Sequence, residues 1–295
     1  MTLIDLITAQ SARLKQAGVC FGHGTTNAFD ESAWLVLWAL GLPLESLETH
    51  AQQTLVAEQL AKAEALVGKR IESRQPAAYL TNEAWLQNVP FFVDERVLVP
   101  RSYIAELLAD AEGDGTLDAW LSDSTQRVLD LCTGSGCLAV IAALAYPDVA
   151  VDAADVSPQA LEVARINVDK HGMAKRIQLL QSDVYSKLRG PYDLIVCNPP
   201  YVNSASMAAL PDEYRAEPAL ALQGGADGMD LIRRIVGDAA RIMSADAVLV
   251  LEVGHERAHF ESAFPRLEVA WLETSGGQDQ VLLVTQDSLQ RWGSR

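Results

Sequence analysis

Four consecutive residues, Asn198-Pro199-Pro200-Tyr201, combine a side-chain amide, two rigid imino acids and an aromatic ring. Proline fixes its own φ and has no N–H to donate, so the pair holds the backbone and leaves nearby carbonyls as fixed acceptors. Asn198 adds a side-chain carbonyl and Tyr201 a flat face. Two acceptors and a ring suit a planar NH₂ group, whose two hydrogens are bound and whose plane is set by stacking. An amide nitrogen delocalises its lone pair into its carbonyl and is a feeble nucleophile. What a site can supply is orientation toward an electrophilic carbon. A strong base is not required, because the nitrogen becomes far more acidic once alkylated. The competing reading is a tight proline turn without chemistry, and the tetrad's position just after an apolar run, at a strand end, speaks against it.

A second constellation is Asp130-Leu131-Cys132-Thr133-Gly134-Ser135-Gly136, which follows an apolar run and precedes a helical one. Glycines there allow a sharp turn and a close backbone approach to a ligand, and the following helix start offers unpaired amides. Alone, a GxG is weak evidence. The next apolar run ends at Asp155, about twenty residues on, where an acid can accept both hydroxyls of a ribose. The third also ends in an acid, Asp183, which could take a hydrogen bond from an adenine amine. Both acids could instead cap loops, but their placement at successive strand ends favours a ligand. A dinucleotide site usually carries a third glycine, where this chain has Ala139. The set predicts a nucleoside cofactor without phosphate, S-adenosylmethionine.

These residues need a scaffold. From Arg127 onward, short apolar runs alternate with helical stretches: 128–131, 151–154, 177–180, 194–197 and 248–253 read as strands of a parallel sheet covered on both faces. Runs 269–272 and 281–284 flank Ser275-Gly276-Gly277-Gln278-Asp279 and read as a closing hairpin. The first ninety or so residues read as helices: one from Leu3 to about Leu14, capped by Thr2 and stopped by Gly18; one over 31–40, ended by Gly41 and Pro43; one over 55–71. Trp34 and Trp38 are expected in the core of this bundle. Between the two parts, 84–86 and 91–93 read as a hairpin around a turn at 87–90, 97–99 as a short strand, and 102–108 as a helix capped by Ser102. The polar stretch 111–118 reads as a flexible crossing. The expected architecture is an open α/β sheet with a helical N-terminal cap, divided as 1–82, 83–115 and 116–295.

With these motifs in view the sequence becomes recognisable. DLCTGSG, then ADVS, SDV and NPPY resembles the protein glutamine methyltransferase family, which modifies release factors or one ribosomal protein. QPAAYLTNEAW, VDERVLVPRS, EPALALQGGADG and the final hairpin are similar as well, so the likeness covers nearly the whole chain. The segment Phe21 to Ser32 and the pair Arg101-Ser102 resemble the branch acting on large-subunit ribosomal protein L-three. The resemblance implies a Rossmann-like methyltransferase sheet and an N-terminal substrate-recognition domain. It implies contacts to S-adenosylmethionine from Cys132 to Gly136, Asp155 and the region of Val184, and a grip on the substrate glutamine by Asn198 to Tyr201. It implies a basic ribosomal protein as partner, met free or on an assembling particle. Val184 stands where many relatives carry tryptophan, and Tyr103 replaces a proline.

Bulk properties narrow the alternatives. The 295 residues carry a formal net charge of −16, which disfavours duplex nucleic acid, whose binding depends on lysine and arginine displacing counterions, and favours a basic protein partner. Lys170, Lys175 and Arg176 form one short basic stretch, read as a solvated loop. A methyltransferase for exocyclic base amines would use the same tetrad, but no basic, aromatic-rich arm accompanies it. A cofactor-binding scaffold without catalysis is the other rival, against which intact Asn198 and Tyr201 stand. No run approaches the roughly 20 apolar residues of a membrane span, and the N-terminus lacks signal-peptide features, which predicts a cytoplasmic protein. Four scattered cysteines include no CxxC pair, so neither a disulfide framework nor a zinc site is expected. His255-Glu256-Arg257-Ala258-His259 matches HExxH, yet it follows a buried run and Gly254 and lacks a third ligand, so no metal is expected there.

Overall fold

A computed structural model describes residues 1–109, 117–121 and 124–294. The expected crossing at 111–118 lies for the most part outside the described residues. The chain opens with α1 (Leu3–Gln16), where Thr2 and Asp5 form a reciprocal capping box. Helix α2 (Ala28–Leu40) begins three residues earlier than the apolar pattern suggested. Asn27 caps it by accepting from the amides of Phe29 and Asp30, and Gly41 ends it in the left-handed conformation. Short α3 (Leu47–His50), then α4 (Ala57–Ser73) and α5 (Ala77–Thr81) complete the helical part. Trp34 is buried as expected, whereas Trp38 is 39% exposed.

The hairpin is tighter than expected. Strands β1 (Ala84–Leu86) and β2 (Val89–Phe91) are joined by Gln87-Asn88 alone, both with positive φ, the conformation of a two-residue turn matched to strand twist. Residues 97–99 are not a strand. Val97 and Val99 are buried, but the Val99 amide donates to Glu217 Oε1 at 2.9 Å, not to a neighbouring strand. Pro100 has no donor to continue a ladder. Helix α6 (Ile104–Leu108) follows, its first amide accepted by Ser102 Oγ.

The remainder alternates as expected: β3 (Arg127–Leu131), α7 (Cys137–Ala145), β4 (Ala150–Asp155), α8 (Pro158–Lys170), β5 (Ile177–Gln181), β6 (Tyr192–Cys197), the short α9 (Ser204–Ala209) and α10 (Asp212–Arg215), α11 (Asp230–Ala239), β7 (Met243–Glu252), α12 (Arg257–Ala263), β8 (Ala270–Thr274), β9 (Gly277–Thr285) and α13 (Gln286–Gly293). The sheet order is β5-β4-β3-β6-β7-β9-β8, with the first five strands parallel and β9 antiparallel to both neighbours. Successive strand residues point to opposite faces. Val128, Leu194, Val196, Val248 and Val250 pack with α6 and α7 on one face. Leu129, Leu131, Ile195, Leu249 and Leu251 pack with α11, α12 and α13 on the other. Chain order reverses between β3 and β6, and the crevice at their carboxyl ends is where such sheets bind ligands.

The helical part is not a separate bead. One apolar cluster lies within it, around Leu3, Leu6, Val36 and Leu37. A second runs from Leu14, Trp34 and Val67 through Val93, Val97 and Val99 to Ala160 and Val163 of α8. Arg176, the basic residue expected in a solvated loop, instead donates to the Ala143, Tyr146 and Val149 carbonyls, between the end of α7 and the start of β4. Among the described residues no helix is long and apolar enough to cross a membrane.

Candidate active site

A cavity of about 320 Å³ opens at the carboxyl ends of β3, β4 and β6. Its floor on one side is the loop after β3. Cys132 sits there at φ +63°, Gly134 at +54° and Gly136 at +80°, left-handed values that glycine adopts freely and other residues seldom do. An added Cβ on Gly134 meets no protein atom within 4 Å, while one on Gly136 would press on Ala164 Cβ at 3.1 Å. The first glycine therefore leaves open space beside the cavity, and the second lets the loop seat against α8.

Asp155, the last residue of β4, lines the cavity. Its Oδ2 accepts the Gly134 amide and its Oδ1 the Ser157 amide, each at 2.9 Å. A carboxylate has about four lone-pair sites, so acceptor capacity remains for a ligand. Burial raises its pKa, and backbone hydrogen bonds from Ser157, Gly134 and Val156 oppose the rise. Asp183 and Val184 also line the cavity. Asp183 is two residues beyond β5 and takes a 2.8 Å bond from exposed Arg234. Val184 is held at φ +48° with its side chain buried.

Asp130, Thr133, Ser135 and Gly136 do not line the cavity. Asp130 is fully buried beneath the loop, where its Oδ2 accepts the Thr133 hydroxyl and, at 2.9 Å, the Ala139 amide. Burial pushes its pKa up to about 7. It braces the turn and the start of α7 from below.

On the other side stand Asn198 and Pro200. Among the described residues no partner takes up the Asn198 side chain. Pro199 is buried, and Tyr201 lies next along the chain without lining the cavity. The Tyr201 hydroxyl donates to Glu252 Oε1 at 3.3 Å. Burial and the neighbouring Glu252 charge push the phenol well above its ordinary range, so it stays protonated.

A third wall comes from the segment after the tetrad, through Pro218, Leu220 and Ala221, and from Arg96, Val97 and Leu98. Buried Glu217 locks these together. It accepts the Val99 amide, takes both guanidinium nitrogens of Arg101 at 2.6 Å, and lies 3.4 Å from His23 Nε2. Burial alone would raise its pKa, but the His23 and Arg101 contacts outweigh it and hold the carboxyl at about 2. Glu213, four residues earlier in α10, receives the Cys20 amide, Arg70 and Arg74. Arg70, fully buried, also pairs with Glu31 at 2.8 Å and donates to the Cys20 carbonyl. None of these residues was singled out as functional from the sequence. The signals were the likeness of Phe21 to Ser32, VPRS and EPALAL to a family, which carried no role for these residues.

In the HExxH stretch, α12 begins only at Arg257, so His255 stands in the preceding turn. Glu256 is occupied by Asn203 Nδ2 at 2.6 Å and by His259. Among the described residues no group of three metal-ligating side chains gathers.

Comparison with known proteins bears on this arrangement. The model of the methyltransferase small domain matches residues 113–213, and that of the PrmC N-terminal domain matches residues 5–81. The chain is 53% identical to a ribosomal protein uL3 glutamine methyltransferase of Bordetella pertussis, over 98% of this chain and 96% of that one. It is 50% identical to a protein so named in Burkholderia pseudomallei, over 96% and 94%, and 47% identical to one in Neisseria gonorrhoeae, over 98% and 95%. The sheet, its switch-point cavity and these matches define an enzyme that uses S-adenosylmethionine to transfer methyl groups. Within that class, the chain belongs to the family of ribosomal protein uL3 glutamine methyltransferases. The cavity fits the cofactor: it falls in the usual size range of small-molecule sites, offers open space at Gly134, and presents a carboxylate with spare acceptor capacity.

Proposed function

We propose that this chain methylates the side-chain amide nitrogen of a glutamine in ribosomal protein uL3, with Asn198-Pro199-Pro200-Tyr201 gripping that amide. The observation that carries the reading is Asn198 on the cavity wall, its side-chain amide untied to any other described residue. Bound S-adenosylmethionine would supply an electrophilic methyl carbon, the C–S bonding pair staying on sulfur as the sulfonium becomes a neutral thioether. Cys132, Gly134, Asp155, Asp183 and Val184 are the residues that would hold the cofactor, with Asp155 accepting from the ribose.

Asn198 Oδ1 accepts one hydrogen of the substrate amide, and a backbone carbonyl fixed by the prolines accepts the other. The ring of Tyr201 sets the amide plane. These contacts aim the nitrogen lone pair along one line, and a misplacement of about 1 Å costs roughly 100-fold in rate. The nitrogen then sheds a proton, made acidic by alkylation, to solvent. The helical segment, residues 1–82, recognises the folded substrate. Its ties through Arg70 and His23 to the segment after the tetrad support a placement next to the acceptor end. The formal net charge of −16 favours a basic ribosomal protein over nucleic acid.

The test is mass spectrometry of ribosomal proteins and release factors after incubation with the enzyme and isotopically labelled cofactor. A gain of one labelled methyl on a glutamine of uL3 is the expected result. Label on a release factor, on RNA alone or nowhere overturns the substrate assignment.

A further inference from the structure

The end of β7 closes on Tyr201 from several directions. Glu252 is 2% exposed. Its Oε2 accepts the Ser102 hydroxyl at 2.6 Å and the Tyr103 amide at 2.9 Å, while its Oε1 accepts the Tyr201 hydroxyl. Two residues on, Gly254 adopts φ +54°, and a Cβ there would lie 2.5 Å from Tyr201 Cε2 and 2.8 Å from Cζ. Two further glycines crowd the same residue's backbone: a Cβ on Gly228 would lie 2.2 Å from its carbonyl oxygen, and one on Gly224 2.8 Å from its carbonyl carbon. Ring, hydroxyl and backbone are each held.

A buried carboxylate is costly to keep, and an apolar side chain of similar size would fill the same space without that cost. A phenolic O–H prefers the plane of its ring. An acceptor fixed in space therefore sets the rotation of the ring about its long axis as well as its tilt. We propose that Glu252 is a positioning residue for methyl transfer: through the Tyr201 hydroxyl it fixes the plane on which the acceptor amide stacks, and through Ser102 and Tyr103 it ties that plane to the start of α6. This rests on the reading that Asn198 to Tyr201 grips the substrate amide. Burial raises the pKa of Glu252, against the pull of its hydrogen bonds.

The test is a double-mutant cycle on the full-length enzyme, read as single-turnover methyl transfer to purified uL3 with melting temperature and cofactor affinity measured beside it. Glu252→Gln and Tyr201→Phe should each slow turnover by about tenfold, with the KM for cofactor unchanged, because both release the same ring from its plane. Combined, they should be no slower than the weaker single variant, since each removes the one link. Effects that multiply to about a hundredfold, or a Glu252→Gln enzyme with wild-type turnover, overturn the inference. Should Glu252→Gln fail to fold, Ser102→Ala frees the carboxylate by removing only one anchor. It should slow turnover severalfold in the wild-type enzyme and not at all in Tyr201→Phe, whereas an equal slowing in both backgrounds overturns the inference. Failure of the underlying reading looks different: Asn198→Ala would then turn over normally whatever Glu252 does.

Discussion

Asp155 and Glu252 end two strands of one sheet, β4 and β7, and both are acids at the carboxyl edge where ligands bind. Asp155 faces the cavity and is held by backbone amides of its own turn and of Gly134, which leaves acceptor capacity for a ligand. Glu252 is buried, takes three donors, and serves another side chain. The halves of the site around them differ in the same way. The cofactor half is built from adjacent βα units, each closed by local hydrogen bonds. The proposed acceptor half is assembled from distant stretches: Cys20 to His23, Arg70 and Arg74, Val99 to Tyr103, Glu213 to Ala221, and the end of β7. On the proposed reading, nucleoside recognition is written into a few residues of neighbouring βα units, whereas the grip on a weakly nucleophilic amide is supported from distant parts of the chain.

That difference can be broken experimentally. The largest effect is expected in the local half. Gly134→Val puts a β-branched side chain at φ +54° and into the open space beside the cavity, a conformation such residues avoid, so cofactor binding by calorimetry should be lost while the fold persists. Unchanged affinity would separate the loop from the cofactor. In the distributed half, Arg70→Ala leaves Glu31 and Glu213 facing each other's neighbourhood without their shared cation. Removing one partner of a buried pair costs about 3–5 kcal/mol. Chemical denaturation should show that loss, and a shift below about 1 kcal/mol, the scale of an exposed pair, would show that the cluster does not brace the site. A smaller effect is expected for Asp155→Ala, which should weaken cofactor binding by about 1–3 kcal/mol. An unchanged dissociation constant would remove Asp155 from the site.

The same contrast explains what was legible in the sequence. The sheet, its closing hairpin and the glycine loop were readable because apolar periodicity, turn residues and strand-end acids are local signals. The reading of 97–99 as a strand failed because Val-Leu-Val alternation reports burial, not pairing. The Val99 amide is satisfied by Glu217, 118 residues away. Trp38 was expected in the core on hydrophobicity alone, yet large aromatics are often only partly covered. Arg176 was read as solvated because its partners, three carbonyls between the end of α7 and the start of β4, are invisible to a pattern. Glu217 and Glu252 carried no signal at all beyond family likeness. A buried acid announces itself only through the donors that surround it, and those come from other parts of the chain.

The central claim is that the tetrad orients the amide nitrogen, and Asn198→Ala separates that role from cofactor binding and from folding. The measurement is single-turnover methyl transfer to uL3, with cofactor affinity and melting temperature determined on the same preparation. Turnover should fall by roughly 100-fold or more, as when a preorganised polar contact to the transition state is lost, while cofactor affinity changes by well under tenfold. A stable Asn198→Ala protein that transfers methyl groups at the wild-type rate would contradict the account.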